Sequence, residues 1–191
     1  MKKLLAALSA AAILVQPAVT AARDTAAQTG SAHDFTFQSI EGRPMPLVEL
    51  AGKVLLIVNT ASLCGFTKQY DTLQALHERL ESRGFSVIGV PSGDFGGQEL
   101  GSSGEIKTFC ETNFNITFPL TEKTSVRGAA SHPFYAWARL TLGDAAAPRW
   151  NFHKYLVGRD GRLIAAFSTQ TRPDDPRILS AIEDALKSEP S

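Results

Sequence analysis

The 191-residue chain has only two cysteines, Cys64 and Cys110. The position three after Cys64 is Thr67, so the Cys-x-x-Cys pair of a local dithiol exchanger is missing. Charge of one sign is not in excess: 19 Lys and Arg balance 19 Asp and Glu. There is no basic field to attract nucleic acid, and no nucleic-acid partner is expected. The four histidines, His33, His77, His132 and His153, show no metal-ligand spacing and read as surface or packing residues. No metal or other cofactor is expected. No internal repeat is evident, and no apolar run beyond the first residues is long enough to span a bilayer.

The sequence does carry a distinctive N-terminus. Met1-Lys2-Lys3 is a short cationic segment, followed by an apolar run from Leu4 to Val15 that Pro17 breaks, with small residues at Val19-Thr20-Ala21. Residues 1–21 therefore read as a secretory signal peptide. Residues 22–33 read as a flexible polar leader, and 34–188 as one folded domain. The expected location is exported, periplasmic or secreted, with no membrane attachment after cleavage. In an oxidising compartment two cysteines suggest a structural disulfide. A reactive Cys64 is the alternative.

Hydrophobic patterning gives an ordered set of elements. Phe35, Phe37 and Ile40 alternate ahead of a Glu41-Gly42-Arg43 turn and predict an N-terminal hairpin over 34–50. The continuous apolar runs at 53–59 and 85–90 predict strands buried on both faces. Between them Leu73, Leu76 and Leu80 lie at helical spacing over 68–82, with Gly84 as the stop. A strand-helix-strand unit implies parallel strands with a right-handed crossover. A Gly- and Ser-rich loop at 92–104 leads to a predicted helix over 103–114 and a short helix near 132–140. A hairpin follows, with strands 152–157 and 162–167, and then an amphipathic helix over 175–187. This order predicts an α/β protein, a thioredoxin-like three-layer α/β sandwich with an N-terminal β-hairpin.

Cys64 falls where a buried parallel strand has ended and a helix is about to start, a recurrent place for sites in open α/β sheets. A helix N-terminus favours thiolate over thiol. Lowering a thiol pKa by about two units takes roughly 2.7 kcal/mol, whereas a helix terminus contributes roughly 0.3–1. Further donors are therefore needed. A lone cysteine of this kind suits attack on an O–O bond, with formation of a sulfenic acid.

Asn59-Thr60-Ala61-Ser62-Leu63-Cys64-Gly65-Phe66-Thr67 resembles the active-site segment of the glutathione peroxidase family in its cysteine-containing form. Phe95-Gly96-Gly97-Gln98-Glu99-Leu100-Gly101 and Trp150-Asn151-Phe152-His153-Lys154-Tyr155-Leu156 resemble its second and third motifs, in the same order. The resemblance implies a catalytic tetrad of Cys64, Gln98, Trp150 and Asn151. Neutral amide and indole N–H donors aimed at sulfur would stabilise a thiolate without an ion pair and hold the peroxide oxygens. It further implies that Cys110 is a resolving cysteine, as in the thioredoxin-dependent branch, which forms a transient disulfide with Cys64. A thioredoxin-type dithiol, or glutathione, would then reduce that disulfide. The alternative for Cys110 is a small buried hydrophobe.

The implied partners are a peroxide substrate and a thioredoxin-like reductant or glutathione, acting on a monomer. Arg127, Arg139 and Arg149 are left outside the site. One segment departs from the family pattern, which has Pro-Cys-Asn-Gln-Phe where this chain has Pro91-Ser92-Gly93-Asp94-Phe95. A carboxylate at Asp94 close to the sulfur would oppose thiolate formation. Rival readings are a thioredoxin-fold thiol oxidoreductase, which the missing Cys-x-x-Cys disfavours, and a non-enzymatic peroxide sensor built on the same Cys64 chemistry.

Overall fold

The computed structural model describes residues 30–189. Val54–Thr60 and Phe85–Pro91 form β3 and β4, every residue of which is buried. They pair in parallel, Val54 opposite Phe85. The connecting helix α1, Gln69–Leu80, buries Leu73, Leu76 and Leu80 against this sheet. A short 3-10 turn and Gly84, at φ 84°, end it where the sequence placed the stop.

The C-terminal hairpin, β5 (Lys154–Val157) and β6 (Leu163–Phe167), joins the sheet antiparallel to β3, giving the order β4-β3-β5-β6. Alternate residues of β3 face two different cores. Val54, Leu56 and Val58 point toward α1, α2 (Ser103–Phe114) and α4 (Pro176–Lys187). Leu55 and Ile57 point toward α3 (Pro133–Leu142) and the N-terminal hairpin of β1 (Thr36–Gln38) and β2 (Pro44–Pro46). The result is helix, sheet and helix in three layers, the predicted thioredoxin-like arrangement. Among the described residues no helix is long and apolar enough to cross a membrane.

The ordered fold starts earlier than the sequence suggests. Residues 31–33 were assigned to the leader, but Ser31 and Asp34 form a reciprocal capping box around a 3-10 turn, Ala32–Asp34. Ala32 is fully buried and donates its N–H to the Gly161 carbonyl at 2.9 Å. Gly161 sits at φ 78°, and any side chain there would collide with the Ser31 hydroxyl and the His33 ring. This contact joins the start of the domain to the β5–β6 turn and is invisible to local composition. The predicted signal peptide, residues 1–21, and the predicted leader residues 22–29 lie outside the described residues.

Candidate active site

Cys64 follows β3 within a run of turns over residues 62–68, and α1 begins only at Gln69. Because a helix dipole acts mainly within the first turn, the donor to the sulfur is local rather than the helix terminus expected from sequence. The Phe66 N–H lies 3.5 Å from Cys64 Sγ. Cys64 itself is 8% exposed.

Thr67, standing where a dithiol protein would carry its second cysteine, closes this turn. Its Oγ1 accepts the Cys64 N–H at 3.1 Å and lies 2.7 Å from the Cys64 carbonyl and 2.9 Å from the Ala61 carbonyl. Its own N–H donates to the Cys64 carbonyl at 3.1 Å.

The loop after β4 lies directly against this turn. The Leu63 N–H donates to the Gln98 carbonyl at 2.9 Å, and the Ser62 N–H to Glu99 Oε1 at 3.1 Å. Glu99 is buried, also takes the Leu100 N–H at 2.8 Å, and leaves Oε2 without a partner. Burial raises its pKa. Gly96 and Gly97, at φ 72° and 63°, make the bend that brings Gln98 back to Cys64.

The third segment arrives from across the sheet. Asn59, on β3, donates from Nδ2 to the Trp150 carbonyl at 3.1 Å and accepts the Phe152 N–H at its own carbonyl. Asn151 is fully buried, and its Nδ2 donates to Gln98 Oε1 at 3.1 Å. Trp150 remains 38% exposed beside the Phe95 ring, with centroids 5.9 Å apart. Cys64, Gln98, Trp150 and Asn151 thus lie on three mutually bonded segments at the C-terminal ends of β3 and β4. The sulfur receives its hydrogen bond from Phe66, whereas the Gln98 amide is turned to Asn151.

Cys110 is fully buried within α2, and both thiols are free. Burial pushes the Cys110 thiol up to about 11, an effect the Tyr70 hydroxyl partly offsets. Of the α2 side chains only Ile106 and Cys110 are fully covered.

The Asp94 carboxylate is engaged by the 125–127 loop. Asp94 Oδ2 accepts the Val126 N–H at 2.6 Å, the Arg127 N–H at 3.1 Å and the Ser125 hydroxyl at 3.0 Å. Through these donors the carboxylate clamps the 125–127 loop. The clamp sets the Arg127 guanidinium 5.2 Å over the Phe95 ring, nearer the site than its omission from the sequence reading implied. Arg139 instead pairs with Asp144 at 2.6 Å.

A cavity of about 630 Å³ opens beside Trp150, lined by Leu142, Ala146, Ala147, Ala165 and Ala166, with Arg149 among the polar residues at its wall. It meets the candidate site at Trp150 and does not enclose Cys64.

Among known proteins, the glutathione peroxidase family profile matches residues 32–139. The chain is 45% identical over 170 residues to Hydroperoxy fatty acid reductase gpx1 of Synechocystis sp., covering 85% of this chain and 99% of that protein. The chain belongs to the glutathione peroxidase family. It is a peroxidase, as its relatives are. The Glutathione peroxidase-like peroxiredoxin HYR1 of Saccharomyces cerevisiae is 41% identical, with 77% of this chain and 91% of that one covered. Thioredoxin/glutathione peroxidase BtuE of Escherichia coli is 39% identical, with 78% and 93% covered. Among solved structures this peroxidase resembles Trgpx in its apo form, with a TM-score of 0.69, 32% identity, and 84% and 98% of the two chains covered. A thioredoxin family protein of Chlorobium tepidum, at 14% identity and TM-score 0.56, shares the fold alone.

Proposed function

We propose that this peroxidase reduces hydrogen peroxide and organic hydroperoxides through Cys64, with Gln98, Trp150 and Asn151 as donors. The supporting observation is the convergence of these residues on hydrogen-bonded neighbouring segments, with Asn151 holding Gln98 at 3.1 Å. The Cys64 thiolate attacks one peroxide oxygen. The S–O bond forms as the O–O bond breaks, and the leaving oxygen takes a proton to become water or an alcohol. The donors of Gln98 and Trp150 serve the developing charge on that oxygen.

Cys110 then attacks the sulfenic sulfur, a disulfide forms, and water leaves. Because Cys110 is buried within α2 and disulfide geometry demands Cα atoms within about 7 Å, this step goes with a local opening of that helix. Only Ile106 and Cys110 of α2 are fully covered, with Phe109 and Phe114 packed at its edge, an anchorage that favours local opening. A thioredoxin-type dithiol completes the cycle by exchange. We also propose that the protein acts as an exported monomer in defence against oxidative stress. Cell fractionation, with a mature N-terminus near Ala22, tests export.

The cavity beside Trp150 supports organic hydroperoxides as substrates, since its apolar wall suits an acyl chain. Ala165→Phe should lower kcat/KM for a fatty acid hydroperoxide and leave hydrogen peroxide unaffected. Peroxide consumption coupled to thioredoxin or to glutathione, in wild type, Cys64→Ser and Cys110→Ser, tests the cycle. Cys64→Ser should be inactive, and Cys110→Ser should lose thioredoxin-dependent turnover. Equal thioredoxin-dependent turnover in wild type and Cys110→Ser would refute the resolving role.

A further inference from the structure

Phe152, the residue after Trp150-Asn151, has φ 61°, a left-handed backbone that a bulky side chain rarely adopts. Such a conformation costs roughly 1–2 kcal/mol and persists only where the surroundings enforce it. Here the Phe152 N–H donates to the Asn59 carbonyl at 2.6 Å, and its buried ring meets Tyr70 edge-on at 5.4 Å. Its carbonyl accepts a hydrogen bond from Lys154 Nζ at 2.7 Å.

Lys154 is fully buried on β5, paired in register with Val58 of β3 and Phe167 of β6. Among the described residues no carboxylate pairs with it. Its three acceptors are all neutral: the Phe152 carbonyl, the Thr171 carbonyl at 2.7 Å and Gln69 Oε1 at 2.6 Å. An ammonium supplies three N–H groups, and each has one acceptor. Burial without a counter-charge pulls the Lys154 pKa down to about 7, and an apolar side chain of similar size would serve packing as well or better.

The three acceptors explain the arrangement. Gln69 donates its backbone N–H to the Phe66 carbonyl, and the Phe66 N–H donates to Cys64 Sγ. Gln69 Nε2 donates to the Thr169 carbonyl at 2.9 Å, and Thr169 Oγ1 to the Asn151 carbonyl at 2.7 Å. Lys154 therefore touches the end of the Cys64 turn, the loop that supports Asn151 and the residue that redirects the chain after Trp150.

We propose that Lys154 is a positioning residue of this peroxidase, whose buried amino group ties the Cys64 turn to the Trp150-Asn151 segment and holds Phe152 in its left-handed conformation. This rests on Cys64 being the peroxide-reactive thiol. Peroxide attack depends on aligned donors, whereas alkylation by iodoacetamide depends mainly on the thiolate itself.

The test measures both rates at Cys64 in wild type, Lys154→Met and Gln69→Leu, with folding checked by circular dichroism. In folded Lys154→Met the peroxide rate should fall by about tenfold or more while alkylation stays near wild type. Gln69→Leu, which removes one of the three acceptors, should show a smaller loss of the same selective kind. It decides the matter if Lys154→Met does not fold. A peroxide rate at wild-type level in both folded variants would overturn the proposal, as would equal loss of peroxide and alkylation rates. A wild-type Cys64 that does not react with peroxide would instead overturn the reading on which this one rests, and this one with it.

Discussion

The Asn151 side-chain nitrogen donates to the Gln98 amide oxygen across 3.1 Å, joining loops 53 positions apart in the chain. With its oxygen so engaged, the Gln98 amide is held in one orientation, and its N–H groups remain free to donate in the proposed reaction. The buried asparagine therefore orients the half-buried glutamine, and the two act as a unit.

Asn151→Ala should lower the rate of Cys64 oxidation by up to about 10²-fold, because it releases the Gln98 donor from its orientation. Adding Gln98→Ala should lower it little further, because residues that share a bond are not additive. Stopped-flow oxidation of the two single variants and the double variant gives the comparison.

Asp94→Ala should destabilise the protein by about 1–3 kcal/mol, because three donors of the 125–127 loop lose one charged acceptor. Asp94→Asn should recover part of that loss. Cys64 oxidation should change far less than in Asn151→Ala, since the carboxylate is committed to the loop. Denaturant titration and peroxide kinetics on the same samples separate the two effects.

Stability should fall with acidification from about pH 6.5 toward about 4. His153 is buried, and burial pulls its pKa from 6.5 to about 4. His77 is shifted down by the same cause. In that window the unfolded chain binds protons that the folded one refuses, so stability present at neutral pH is lost as pH falls. His153→Phe, which cannot titrate, should flatten the urea midpoint profile over this range.

Thr67→Val should cost about 1–3 kcal/mol, because the buried Cys64 N–H loses its acceptor at 3.1 Å. Thr67→Ser should be close to wild type. Thermal unfolding of the two variants distinguishes loss of the hydroxyl from loss of the methyl group.

The features legible in the sequence are those whose cause is local. The apolar runs of β3 and β4 and the spacing of Leu73, Leu76 and Leu80 specify strand and helix wherever they stand. Cys64, Gln98, Trp150 and Asn151 are carried by short contiguous motifs. The partners of Asp94 were not legible because they lie 31 to 33 positions away and include backbone N–H groups. Residues 31–33 were misassigned for the same reason, their anchor being the distant Gly161.

Lys154 and Glu99 carried weaker signals. A lysine heading a buried strand, ahead of Tyr155, Leu156 and Val157, departs from the pattern of that strand, and the departure points to a fixed set of acceptors. Glu99, in a Gly-rich loop, gives no such contrast; its role emerges only when the loop meets the Ser62 N–H. The predicted start of α1 at 68 lies one residue from the observed Gln69; what the sequence does not show is that the turn over 62–68 places the Phe66 N–H, rather than the helix terminus, on the sulfur.

The central claim is that Cys64 and Cys110 act in sequence on one peroxide. Intact-mass analysis after one equivalent of hydrogen peroxide, followed by peptide mapping, tests it most directly. The account predicts loss of two hydrogens, with Cys64 and Cys110 linked, and an added oxygen on Cys64 only in Cys110→Ser. A wild-type protein that keeps the added oxygen on Cys64, with Cys110 still a free thiol, would contradict it.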